Sequence, residues 1–291
     1  MIKIAVCISG LLQCWDVTHQ LFKYWNSMYD DVEFIFFIST WEVDSDFAST
    51  EKQYQKKGKL LTNTQYNSDT FDFIEDIEFI STDVIPKNIL DENQSTAPFY
   101  SYQIYNVQKM RKNYEKQIGK KFDLVVQTRE DMVIYKKTID QFKHWYDLKQ
   151  VVSGMYFTTS GTKVKDGVGK NGFRFLIPND CFGFAHSDAM DEYAQMYNDT
   201  FIENTNHEKF GHFMNAQQLI NKGIYNCKIG NTFRTFMLRK ENELSDNGLS
   251  WHKKGRPTYE TLKKVLDKNG VGWFYNKDEN IQREVLRCFV C

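Results

Sequence analysis

The densest group of chemically capable side chains is Arg129-Glu130-Asp131, which directly follows the apolar run Leu124-Val-Val-Gln-Thr128. Two carboxylates and a guanidinium at the end of a buried strand are costly unless paired or bound to something. A carboxylate there could hold Mn²⁺ or Mg²⁺ through oxygen ligands. The cation would neutralise a diphosphate leaving group as negative charge develops on it. Arg129 could grip a phosphate or orient Asp131 through a bidentate pair. The alternative is a purely structural Arg–Asp pair that caps the sheet.

Two further segments lie where a parallel sheet binds ligands, beyond the carboxyl ends of its strands. Ser9-Gly10 is a small pair that lets a ligand approach the backbone closely, although it lacks both the G-x-G-x-x-G spacing and a P-loop lysine. Ser39-Thr40-Trp41 is read as a loop placing hydroxyls and a flat ring after a second apolar run. Trp41 suits either the core or a stacked base. Asp44-Ser45-Asp46 spells a literal D-x-D in a polar stretch and is read as a decoy. Asp180, in Asn179-Asp180-Cys-Phe-Gly-Phe-Ala-His186, and Glu208, after His207, are the candidates for a general base or for orienting an acceptor hydroxyl. Their alternatives are a turn aspartate and a glutamate favoured by a helix dipole. His252 lies in the basic segment Ser250–Arg256, and Cys288-Phe-Val-Cys291 has only the spacing of half a metal site.

The elements that must position these residues follow from apolar periodicity. Ile2–Ile8 and Val32–Ile38 are continuous apolar runs, the mark of strands buried on both faces, with a helix-spaced segment Val17–Met28 between them. That order is a βαβ unit with a right-handed crossover and parallel strands. Phe73–Ile80 predicts another strand, Ala97–Ile118 a long helix stopped by Gly119, and Phe122–Thr128 a third buried strand. Val151–Phe157 and Phe173–Ile177 are weaker strands around a Gly-rich stretch. Ser187–Tyr197 and His207–Asn221 read as helices, and Pro257–Leu266 and Asn280–Leu286 as a short helical tail. The expected organisation is one domain over 1–291, with a nucleotide-binding half (1–135), an acceptor-side half (136–255) and the tail (256–291).

Bulk composition narrows the function classes. Apolar residues form 41% of the 291-residue chain, enough for a large core, while 37 basic against 38 acidic residues give a net charge of −1. That balance argues against a general nucleic-acid binder but leaves room for one phosphate pocket. No stretch approaches the ~20 apolar residues of a membrane span, and the N-terminus lacks a signal peptide's pattern. The six irregularly spaced cysteines read as reduced thiols of a cytoplasmic protein, and the sequons at Asn93 and Asn198 as accidents. Abundant Lys, Asn, Tyr and Phe fit an AT-rich viral or bacterial genome, with the host cytoplasm as the location in the viral case.

Five short motifs then occur in order. Ala-Val-Cys-Ile-Ser-Gly-Leu-Leu-Gln-Cys-Trp, ending at Trp15, resembles I-S-G-Q-x-R-x-W, and Ser39-Thr40-Trp41 resembles a His-Thr-Trp triplet. Phe99-Tyr100-Ser101 matches F-Y-S before a long helix, Phe122–Asp131 matches Y-D-x-V-I-R-x-R-x-D, and Asn179-Asp180-Cys-Phe182 with Met190 matches N-D-x-F…M. This series resembles a family of GT-A-type nucleotide-sugar glycosyltransferases from residue 2 to about 240. The resemblance implies a Rossmann-like α/β fold, a nucleotide-sugar donor, a glycan or lipid-linked saccharide acceptor, and a divalent cation on Asp131. Ser9, Gly10, Thr40, Trp41 and Arg129 would line the donor site. Gln13 and Gln127 depart from the family, which has Arg at both places.

Overall fold

The computed structural model describes residues 1–12, 14–42, 68–86, 89, 97–147, 155–158, 167–168, 174–175, 182–203, 219, 222–228, 235–237 and 259–278. Strand β1 (Ile2–Ser9) leads into helix α1 (Trp15–Tyr24), and β2 (Val32–Trp41) follows beside β1. After β3 (Ile74–Ile80) the long helix α2 (Ala97–Ile118) crosses to β4 (Leu124–Thr128). Next come β5 (Met132–Ile134), α3 (Lys136–Asp147), β6 (Met155–Thr158) and the small pair β7 (Gly167–Val168) and β8 (Arg174–Phe175). The remaining elements are β9 (Phe182–Ala185), α4 (Ser187–Ala194), β10 (Tyr225–Lys228), β11 (Thr235–Met237), α5 (Tyr259–Asn269) and α6 (Val271–Tyr275).

Seven of these strands form one sheet in the order β10-β6-β9-β4-β1-β2-β3. Only β9 runs against the rest of this sheet, pairing antiparallel with β4 and β6. The protein is therefore an α/β structure with a mainly parallel central sheet flanked by helices, as the apolar runs predict. No helix among the described residues is long and apolar enough to cross a membrane.

Alternation along β1 divides the core in two. Ile4, Val6 and Ile8 face one layer with α1, α3, α5 and α6, whereas the smaller Ala5 and Cys7 face α2 and α4. Burial of such side chains contributes roughly 1.5–3 kcal/mol each for the larger ones, which makes both layers strong supports for the strand ends. The first of the two predicted tail helices joins the first layer through Leu262, Val265 and Leu266, and α6, which the periodicity did not predict, adds Phe274 and Tyr275.

The structure differs from the sequence reading in three places. Ser39-Thr40-Trp41 is strand, not loop, because these residues stay in register with Glu78, Phe79 and Ile80 of β3. The helix expected from Val17 begins at Trp15 and tightens into a 3₁₀ turn at Trp25–Ser27. Helix α3, strand β5 and the reversed β9 were not visible as elements. The helices expected at His207–Asn221 and Asn280–Leu286 lie wholly or largely outside the described residues.

Candidate functional site

The chain runs β1, β2, β3 to one side of the sheet and then returns through α2 to β4 on the other side of β1. The order reverses between β1 and β4, and a crevice at such a switch point is where open α/β sheets bind ligands. Ser9 is level with Ser39 of β2, and Ile8 is level with Thr128 of β4. Ser9-Gly10 and Arg129-Glu130-Asp131 therefore leave the sheet side by side. Topology puts together two segments that are 120 residues apart in the chain.

Gly10 adopts φ +128°, a conformation L side chains rarely take, and a Cβ added there would meet nothing within 4 Å among the described residues. The position demands glycine for its backbone, and open space lies where a side chain would be. Its N–H donates to the Ser39 carbonyl at 3.3 Å, tying the turn to β2.

Arg129 and Asp131 form a bidentate pair: Nε donates to Oδ1 at 2.9 Å and a terminal nitrogen to Oδ2 at 2.7 Å. Asp131 is 1% exposed and the Arg129 side chain 30%, so the pair presents its guanidinium outward. Glu130 turns the other way. Its Oε2 accepts the backbone N–H of Cys14 at 3.2 Å, at the start of α1, where the Cys14 side chain makes no cap of its own. A buried carboxylate thus holds the positive end of the α1 dipole, the place where a nucleotide phosphate sits in many related sheets.

Both oxygens of Asp131 are engaged by a guanidinium, and no group of three or more His, Cys, Asp or Glu among the described residues could hold a metal ion. Trp41, named for the donor site, is 2% exposed, edge-on to Phe99 at 5.5 Å and stacked on Tyr102 at 5.9 Å. It fills the layer between β2 and α2. Thr40 is fully buried, and its Oγ1 has no hydrogen-bond partner among the described residues. Asp180, Glu208, Gln13, Asp44, Asp46, His207, His252, Cys288 and Cys291 all lie outside the described residues.

Beneath the edge the sequence reading missed a buried polar network. Gln127, 1% exposed, donates from Nε2 to Ser9 Oγ at 2.8 Å and accepts from Gln108 Nε2 at 2.8 Å. Gln108 in turn accepts from Arg111 Nε at 2.8 Å. Arg111 is fully buried and is held by Glu115 at 2.8 Å, by Ser187 and by Asp191. The signal was available: Gln108, Arg111 and Glu115 recur at three- and four-residue spacing within the helical pattern, and Gln127 interrupts an apolar strand. Cys7, two residues before Ser9, is no nucleophile; burial pushes its thiol up to about 12.

No protein-family model matches the chain, and no curated protein does. Solved structures with some likeness include the 2-C-methyl-D-erythritol 4-phosphate cytidylyltransferase of Francisella tularensis. It is 10% identical, over 80% of this chain and 93% of that one, with a TM-score of 0.37. The 4-diphosphocytidyl-2C-methyl-D-erythritol synthase of Anaerococcus prevotii is 8% identical, over 81% of this chain and 90% of that one, with a TM-score of 0.35. Scores this low establish no common function, which has to be read from this chain's own residues.

Proposed function

We propose that this protein is a glycosyltransferase that moves a hexose-type sugar from a nucleotide-diphosphate-sugar donor to a glycan or lipid-linked acceptor. The observation that carries the reading is the charged Arg129-Glu130-Asp131 turn, lodged at the β1/β4 switch point opposite Ser9-Gly10. The ordered motifs described above support it. In the reaction the acceptor oxygen bonds to the anomeric carbon, the sugar–phosphate bond breaks, and the nucleoside diphosphate leaves with the electron pair. Arg129, aimed by Asp131, supplies positive charge beside that leaving group. The acceptor's proton goes to a carboxylate, for which Asp180 and Glu208 are the candidates. A divalent cation belongs to the proposal only as a companion of the donor, because its access to Asp131 requires Arg129 to release the carboxylate.

Calorimetry with UDP- and GDP-sugars, with and without Mn²⁺, tests the reading, and a CMP-sugar, whose leaving group is a monophosphate, serves as the contrast. One donor is expected to bind with a dissociation constant in the range of about 1 μM to 1 mM, as enzyme substrates do. Asp131→Ala, checked for folding by circular dichroism, should weaken it at least tenfold. Failure of every donor to bind, or unchanged binding in the variant, would sink the proposal. Manganese dependence would further require the Arg129 fork to open. A non-catalytic nucleotide- or glycan-binding protein on the same fold is the second reading, favoured by the engagement of Arg129 with Asp131 and of Gln127 with Ser9. Donor hydrolysis without acceptor separates the two, since a binding protein releases no nucleoside diphosphate.

A further inference from the structure

The buried network under Ser9 has a direction. Arginine has only donors, so Arg111 Nε obliges the Gln108 side chain to present its oxygen, at 2.8 Å. That orientation turns the Gln108 amide nitrogen toward Gln127, whose oxygen accepts it at 2.8 Å. The Gln127 nitrogen is then the end that meets Ser9, and Ser9 Oγ accepts from it at 2.8 Å. Each amide could be flipped in isolation, but a chain anchored on an obligate donor leaves one consistent assignment. Ser9 Oγ is thereby fixed as an acceptor on its protein side, and its O–H meets no acceptor among the described residues. The anchor is firm: Arg111 is fully buried, with Glu115, Ser187 and Asp191 around it. Burying so much charge for packing alone is unfavourable, which points to a positional role.

We propose that Arg111, Gln108 and Gln127 form a one-way relay that sets the Ser9 hydroxyl as a hydrogen-bond donor toward an acceptor oxygen of the ligand in the β1/β4 crevice. They are positioning residues, acting through Ser9 and not on the ligand. The inference rests on the nucleotide-sugar reading and deepens it. The ligand group recognised is an oxygen with a free lone pair, supplied by a base carbonyl or a phosphate. It also gives Gln127 a purpose: arginine there has no acceptor atom for Gln108, so the relay would break.

The test has two arms on the full chain. In the ligand-free protein, NMR should show the side-chain amide protons of Gln108 and Gln127 protected from exchange with water, and Ser9→Ala should shift the Gln127 pair. Free exchange, or no shift, overturns the relay whether or not any nucleotide binds. In the binding arm, Ser9→Ala and the near-isosteric Gln127→Met should each weaken the bound nucleoside diphosphate about 3- to 10-fold. The double variant should be no weaker in binding than Ser9→Ala alone, because the two residues act through one hydrogen bond. A merely structural Gln127 would give additive losses of affinity, and that result overturns the proposal. Nucleoside and inorganic pyrophosphate distinguish the oxygen's source: a base carbonyl makes the nucleoside sensitive to Ser9→Ala, a phosphate the pyrophosphate. If the wild-type chain binds none of these ligands, the nucleotide reading fails together with Ser9's ligand role, and the exchange arm alone decides the relay.

Discussion

Glu130 shows how one residue can serve a fold and limit a site at once. Helix α1 begins at Trp15 without a side-chain cap from Cys14, and Glu130 accepts the backbone N–H of Cys14 itself from the far side of the switch point, 116 residues away. The carboxylate also complements the helix dipole, a contribution of about 0.3–1 kcal/mol in exposed settings and up to about 2 kcal/mol when partly buried. Glu130→Gln should therefore destabilise the protein by about 1 kcal/mol, and Glu130→Ala by about 1–3 kcal/mol through loss of the buried carboxylate that accepts the Cys14 N–H. Urea denaturation at constant m-value measures both. An alanine variant as stable as the wild type would contradict the capping role. Under the proposed function, the same contact favours the Arg129 side of the crevice for a diphosphate, because a second anion at the α1 N-terminus would face Glu130.

At the scale of elements, the C-terminal helices matter more than a tail would. Tyr275 of α6 accepts the Trp25 indole N–H at 3.0 Å and donates to the Ile134 carbonyl of β5 at 3.3 Å, so one hydroxyl ties α6 both to the turn after α1 and to the strand after the Arg129 loop. Its ring stacks on Tyr24 with centroids 5.7 Å apart, and Gly272 sits so near that a Cβ would lie 3.0 Å from the Tyr24 hydroxyl oxygen. Tyr275→Phe keeps the ring and strands two buried polar groups, so a loss of about 1–3 kcal/mol is expected in a denaturant titration. A loss below a few tenths would mean that the hydroxyl bridge is not formed. The elements legible in the sequence were those with long uniform signals, such as Ile2–Ile8, Val32–Ile38 and the α2 segment. Strand β5 is three residues long and β9 reads Phe-Gly-Phe-Ala, too short to separate from loop. Ser39-Thr40-Trp41 looked like loop because hydroxyls end the apolar run, yet pairing with β3 carries the strand through them. The candidate site was legible where charge met an apolar run, at Arg129–Asp131. Which partner each charge takes was not, because Glu130 meets Cys14, and Gln127 meets Ser9, only through tertiary contacts.

For the whole molecule, the two core layers carry protonated groups whose ionisation opposes folding. Burial raises Tyr275 above its ordinary value, and raises Tyr29 and Tyr259 as well; hydrogen bonds to Asp140 and Asp16 add to the effect in those two. Cys7 is pushed from 9.0 up to about 12 by burial on the α2 side of β1. In each case the folded state keeps a proton that the unfolded chain releases, so the stability these groups contribute is complete below the unfolded values of 9.0 for the thiol and 10.0 for the phenols. It is lost as pH rises above those values toward the folded ones. Each fully buried group, Cys7 and Tyr275, removes about 1.4 kcal/mol per pH unit in that window. Thermal melts should accordingly be nearly flat in their dependence on these groups from pH 7 to about 8.5, and fall with increasing slope above pH 9 and again above pH 10. Cys7→Ala should remove the earlier part of the slope, and Tyr275→Phe should soften the later part while lowering Tm at neutral pH. A melting temperature constant to pH 11 would mean that neither layer excludes water as tightly as the packing of β1 requires.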